Sequence, residues 1–407
     1  MRLTNDKYDQ KGGSGMGLSK KKKDPKKQTR QRAIKVRIYP TSEQETLFQK
    51  TFGCCRFYWN QALSDEQEFY AATDAHFIPT PAKYKTQFPF LKEVDSLALA
   101  NAQLNLNKAF KKFFDKNDKA KYPNFKSKKR SRKAYTTNCQ YNDGKATIYA
   151  TGDGVRLPIV GFVKGTMYRK PPEHWVLKNA TVSQSASGKY FCSLCYEFVE
   201  DIPKTVEPTI EMAIGLDYSS PHFYVDDDNN SPDVPHAFRR SEDKLAKLQR
   251  QLSRMQPGSK NYEQQKHKIA LLHEKISNQR KDFTHKESRR IANAYDVVCV
   301  EDIDLRGMSG SLRLGKSTMD NGFGMFRTML QYKLAEQGKH YVVIDKWYPS
   351  SKTCSACGSV NADVVLGIGE WTCSHCGTHH LRDKNGAINI KREGFATLMK
   401  QLHHDVA

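Results

Sequence analysis

Four cysteines arranged as two C-x-x-C pairs, Cys354/Cys357 and Cys373/Cys376 with fifteen residues between the pairs, carry the strongest chemical signal in the chain. Two-residue spacing lets one turn present both thiolates to one metal, and two such turns complete a tetrahedral four-sulfur shell. Gly358 and Gly377 follow the pairs, where a tight knuckle needs a residue that tolerates positive φ. A closed shell leaves no open position, so the expected Zn²⁺ is structural. His375, His379 and His380 lie close by, but a complete cysteine set makes them unnecessary as ligands. Cys192 and Cys195 share the spacing yet sit in Tyr190–Tyr196, where strand alternation sends them to opposite faces.

Three carboxylates offer a second chemistry. Asp217 closes the apolar run Met212–Leu216, Glu301 closes Val297–Val300, and Asp383 stands just before a helical stretch. Acids at strand ends of an α/β sheet can converge although far apart in sequence. Three converging acids can hold two Mg²⁺ ions about 4 Å apart, with Mn²⁺ an acceptable substitute, for phosphodiester cleavage. Each acid alone reads as an ordinary strand-end residue. Asp302, Asp304 and Asp345 compete for the role, and spacing does not separate them.

The formal net charge is +22, which suggests a polyanionic partner. The excess is clustered: residues 1–33 hold eleven basic and three acidic residues, 108–133 twelve and two, and 241–290 thirteen and six. Within the second cluster Lys121, Tyr122, Phe125, Lys126, Lys128, Lys129 and Arg130 mix aromatics with cations, a composition suited to stacking on bases while neutralising phosphates. No apolar run reaches the roughly 18 residues of a membrane span, and no apolar leader follows Met1, so a cytoplasmic location is expected, where paired cysteines mean metal.

These residues need scaffolding. Ile34–Tyr39 alternates like a half-buried strand, and Pro40 ends it. Ser42 and Glu45 have capping-box spacing ahead of a helix, and helical character continues to Phe114. Strands are expected at Lys145–Tyr149, Val155–Leu157, Val176–Ser183 and Tyr190–Val199, forming a small barrel or curled sheet. After Pro203–Pro208 comes an α/β regime. It holds a strand to Asp217, a helical hairpin over 241–290 turning at Pro257-Gly258, strands at Val297–Val300 and Tyr341–Ile344, and a helix around Phe326–Glu336.

The chain resembles the TnpB (OrfB) family of transposon-encoded RNA-guided DNA endonucleases, relatives of compact type V CRISPR effectors. The resemblance rests on Arg37–Pro40, Gly53–Phe57 with Asn60, Tyr122–Ser127, Gly215–Ser220, Val300–Asp302, Ser350–Cys354, and Arg382-Asp383 with Asn385. It implies a multidomain α+β chain: a basic tail (1–32), a split wedge β-barrel (33–44 and 134–208) and an inserted helical recognition domain (45–133). A RuvC-like nuclease of RNase H fold (209–353 and 379–407) would then enclose a zinc domain (354–378). It also implies Asp217, Glu301 and Asp383 as the Mg²⁺-binding catalytic set, a guide RNA from the transposon end, and a double-stranded DNA target beside a short flanking motif. A companion transposase would be a functional partner. The alternative is a guide-dependent regulator of transposition, or accessory transposase, that binds without cutting. Departures from the family pattern are Leu381 where an Asp is common, Gly386 where an Ala is usual, Ala100 where Gln is frequent, and Tyr218-Ser219-Ser220 after Asp217 where a Leu-Gly type is frequent.

Overall fold

Alternating residues from Lys27 onward make β1 (Lys27–Tyr39), with Val36 and Ile38 buried and Lys35 and Tyr39 exposed. The computed structural model describes residues 26–304, 322–365 and 367–404. Of the expected tail, residues 1–25 therefore lie outside the described residues, and 27–32 belong to β1: pairing with a long partner strand extends order past the point where the sequence turns polar.

Helix α1 (Ser42–Thr73) is capped one residue earlier than the spacing suggested. The Thr41 hydroxyl accepts from the Gln44 amide while the Gln44 side chain accepts from the Thr41 amide. Phe48, Phe52, Cys55, Tyr58 and Leu63 recur at helical intervals and are buried. They share a core with Leu99, Leu106 and Phe110 of α3 (Ser96–Phe114), which follows the short α2 (Pro81–Gln87).

The chain then forms β2 (Lys133–Asn138), β3 (Tyr141–Asn142), β4 (Lys145–Ala146), β5 (Tyr149–Thr151), β6 (Gly154–Leu157), β7 (Gly161–Thr166), β8 (Val176–Gln184) and β9 (Tyr190–Asp201). The main sheet has the order β2-β8-β9-β1-β7-β6-β5, with β1 seated between β9 and β7 although 93 residues separate it from β2. The non-contiguous assembly is as expected. Among the described residues the hydrogen-bonded order ends on β2 and β5, a seven-stranded order that does not close on itself and is compatible with the curled-sheet form of the expectation. Cys192 is buried and Cys195 half-buried on opposite faces of β9.

The second half is built on a four-stranded sheet, β11-β10-β12-β13, from β10 (Ala213–Asp217), β11 (Val225–Asp226), β12 (Val297–Glu301) and β13 (His340–Ile344). Strands β10, β12 and β13 run parallel, and β11 is antiparallel to β10. The crossovers are a hairpin of α4 (Glu242–Ser253) and α5 (Lys260–Ala294), then α6 (Phe323–Glu336). Ile214, Leu216, Val298 and Val300 face α5 and α6. Ala213, Val297 and Cys299 face the other way, onto the C-terminal helix α7 (Arg382–His404). Before α7 lie β14 (Glu370–Thr372) and β15 (His379–Leu381), a small hairpin beside the cysteines. The halves meet where Val206 bonds to the Gly338 carbonyl at 2.9 Å, Lys189 pairs with Glu274 at 3.1 Å, and Arg32 bonds Glu336. Among the described residues no helix is long and apolar enough to cross a membrane.

Candidate active site and metal centre

Strand parity explains how two distant acids meet. Leu216 pairs with Val300 in the parallel β10–β12 ladder, so Asp217 and Glu301 end neighbouring strands side by side. Both share the face of Ala213, Val297 and Cys299, because side chains alternate with period two. That face is covered by α7, whose first turn carries Asp383. Helix and strand approach so closely that only glycine fits between them: a Cβ at Gly215 would sit 2.0 Å from the Ala387 carbonyl oxygen, and one at Gly394 would sit 2.4 Å from Cys299 Sγ. The three carboxylates line one cleft of about 550 Å³, together with Tyr218, Leu381 and Arg382.

The cleft is electrostatically unfinished. Burial, and then the neighbouring Glu301 and Asp383, push the Asp217 carboxyl well above the usual carboxylate range, with Arg382 pulling weakly the other way. Burial raises Glu301 as well, opposed by the Ser350 hydroxyl, which donates to its carboxylate, and by Arg382. Tyr218 Oη and Arg382 Nε are buried without a hydrogen-bond partner. Asp217 is buried, with Glu301 and Asp383 half-buried in the same cleft; a divalent cation among them would relieve their repulsion. Of the competing acids, Asp302 is exposed beside Arg327, and Asp345 caps its own loop by accepting from the Trp347 amide at 2.7 Å.

Two asparagines on α7 hold the surrounding loop. Asn385 Nδ2 donates to the Thr353 carbonyl at 2.8 Å, and its Oδ1 accepts from the Ser355 amide at 2.9 Å. One turn on, Asn389 Nδ2 donates to the carbonyls of Ser350 at 2.8 Å and Thr353 at 2.6 Å. The clamp fixes Ser350 against Glu301 and ties the first cysteine turn to the helix of Asp383. Sequence reading quoted Asn385 but missed Asn389; two asparagines at i and i+4 beside apolar neighbours were the available signal. At Gly386 a Cβ would lie 2.7 Å from Asp217 Oδ2, so glycine suits the carboxylate position adopted here. Leu381 is exposed at the cleft rim.

All four expected cysteines come together, with their sulfurs within 4.8 Å of one another. Cys354 and Cys376 are 3.6 Å apart, and Cys357 and Cys373 are 3.7 Å apart. A tetrahedral zinc site with Zn–S bonds of about 2.3 Å places sulfurs about 3.8 Å apart, so the set fits. The Ser359 hydroxyl, 3.2 Å from Cys373 and 3.0 Å from Cys357, brings their thiols down to about 5 and about 7. Burial pushes Cys354 up to about 11. His380 is not part of the sulfur set; its Nε2 lies 3.1 Å from Cys354 Sγ and its ring packs on Trp371. β15 runs directly into α7, so the knuckle joins the helix of Asp383 without a linker.

The basic segment divides in two. Lys121, Phe125, Lys128, Lys129 and Arg130 are exposed. Tyr122 is a packing residue instead: its hydroxyl donates to the buried Glu66 at 2.8 Å and its ring sits edge-on to Phe110 and Phe113. Lys126 lies 3.4 Å over the Trp59 ring, and burial lowers its ammonium to about 8. Asn60 straps the segment to α1 through both backbone polar groups of Lys126.

The mixed α/β fold described above is shared with a compact Cas12 effector. The solved structure of a Cas12f1–sgRNA–target DNA complex superposes with a TM-score of 0.57 at 13% identity, covering 89% of this chain and 99% of that one. Family profiles match at residues 323–390 ("Cas12f1-like, TNB domain"), 193–312 ("Probable transposase") and 30–74 ("Helix-turn-helix domain"). The last span folds here as β1 followed by the single helix α1. A Streptomyces pristinaespiralis protein named "Putative RNA-guided DNA endonuclease" is 34% identical over 376 residues, covering 90% of each chain. An Escherichia coli relative of the same name, InsQ, is 29% identical, covering 91% of this chain and 94% of its own. The chain belongs to the TnpB (OrfB) family.

Proposed function

We propose that this chain is an RNA-guided, metal-dependent DNA endonuclease of transposon origin, cutting a target beside a short flanking motif. The observation that carries the reading is the meeting of Asp217, Glu301 and Asp383 in one cleft, at adjacent parallel strand ends and the helix that covers them. Its relatives' names and the complex that shares its fold support guide RNA and target DNA as partners. Mg²⁺ held by the three carboxylates would activate the attacking water and stabilise the leaving oxygen. With the metal bound, Asp217 and Glu301 would supply negative charge in a site that water screens poorly, while Ser350 orients Glu301 and Arg382 tempers the charge between them. Cys354, Cys357, Cys373 and Cys376 would hold Zn²⁺ and, through Asn385 and Asn389, fix the α7 end that carries Asp383. Exposed Lys121, Phe125, Lys128, Lys129 and Arg130 are assigned to nucleic-acid contacts.

Leu381 at the cleft rim favours a second reading, a guide-dependent regulator that occupies DNA without cutting, because it removes an acid from a position facing the site. Sequencing the RNA that copurifies, then exchanging its target-pairing segment, tests the choice. A discrete RNA whose exchange redirects cutting supports the endonuclease. Redirected binding without cutting supports the regulator, and random RNA fragments contradict both.

A further inference from the structure

We propose that Trp347 is a stacking platform that holds the unpaired DNA strand as it enters the carboxylate cleft, an inference that rests on the endonuclease reading above. The ring is 81% exposed, whereas Trp59 and Trp371 are buried and Trp175 is half-buried. An indole displayed this openly offers a free π-face on which an unpaired base can stack. The display is rigid. The Trp347 amide donates to Asp345 at 2.7 Å, and the Ser350 and Thr353 amides donate to the Tyr348 and Pro349 carbonyls at 2.8 and 3.0 Å. The same loop delivers Ser350 to Glu301 and is clamped by Asn389, so the position of Trp347 is tied to that of the acids.

Trp347 borders a groove of about 770 Å³ that also contains Lys346, Lys352, Val365 and Arg382. Ser351 and Arg382 line both this groove and the carboxylate cleft, which makes the two continuous. The groove supplies cations, with Lys346 Nζ 5.1 Å over the indole, whereas the cleft supplies acids. A nucleic-acid strand needs that order: phosphates neutralised along the approach, and negative charge confined to the metal-binding end. Arg382, which lines both the groove and the cleft, places a cation at their junction. The strand must be unpaired, because in a duplex the base faces are already covered by neighbours and only a free base can stack on an indole.

Titration of the full-length Asp217→Ala chain with single-stranded DNA carrying 2-aminopurine reads stacking without cleavage. Adding Trp347→Ala should abolish the quenching of 2-aminopurine and weaken binding on the order of tenfold, while Trp347→Phe keeps most of both. Thermal melting should not change, since the ring packs against little. In the cutting background Trp347→Ala should raise KM on the order of tenfold with kcat held within about twofold. Unchanged quenching and an unchanged KM in Trp347→Ala would overturn the platform. Failure of the wild-type chain to cut its guided target would overturn the endonuclease reading instead, and the quenching arm still decides the platform.

Discussion

Gly215→Ala tests whether the packing of α7 on β10 sets the active geometry. The added Cβ would lie 2.0 Å from the Ala387 carbonyl oxygen and 2.7 Å from the Lys391 amide nitrogen. Both are backbone atoms, so no rotamer change relieves the contact. Tightly packed interiors transmit such strain, and α7 must retreat from the sheet by roughly 1 Å. Asp383 is four residues before Ala387, about 6 Å along the helix axis, and moves with it. A misplacement of about 1 Å costs on the order of 100-fold in rate, or about 2.7 kcal/mol of barrier. Overpacking adds about 1–3 kcal/mol of destabilisation. Single-turnover cleavage of a guided plasmid, measured beside thermal melting, reads both effects. Gly152→Ala is the control, since a Cβ there meets nothing within 4 Å. Wild-type melting and cutting in Gly215→Ala would refute the reasoning.

Gly53→Ala should stabilise the chain by about 0.5–1 kcal/mol, because the position is interior to α1 and a Cβ there meets open space; a lowered urea midpoint would contradict this. Cys373→Ser should lower the melting temperature and the cutting rate together, since the knuckle is clamped to α7 by Asn385; retained stability and cutting would make the knuckle peripheral. Asp217→Asn should change the pH dependence of stability in zinc-loaded, magnesium-free protein. The Asp217 carboxyl is raised in the fold by burial, Glu301 and Asp383, so its stabilising contribution is full below the ordinary value of about 4 and is lost as pH rises through the raised value. The substituted amide cannot ionise, so the variant should melt above wild type near neutral pH, and Mg²⁺ should narrow the gap by binding wild type. Parallel melting profiles across pH would count against the buried acid.

The metal knuckle and the strand-end acids were legible because their signals are local: two-residue cysteine spacing, and apolar runs that stop at a carboxylate. What escaped was set by contacts distant in sequence. β1 extends back to Lys27 because β9 offers it partners as far as Asp201, which polar residues 27–32 do not announce. Tyr122 looked like a stacking residue among lysines, yet Glu66, 56 residues earlier, captures its hydroxyl. The strand order of the main sheet depends on which strand edges meet, and alternation alone does not specify that. Asn389 was invisible for a related reason: its value lies in carbonyls of a loop almost forty residues away.

The most direct test of the central claim is cleavage of a guide-matched plasmid by the copurified protein–RNA complex, with wild type compared against Asp217→Ala, Glu301→Ala and Asp383→Ala. The account predicts Mg²⁺-dependent cutting by wild type and its abolition in all three variants, each still folded and still bound to RNA. Persistent cutting in any one of them would remove that carboxylate from the site and contradict the account.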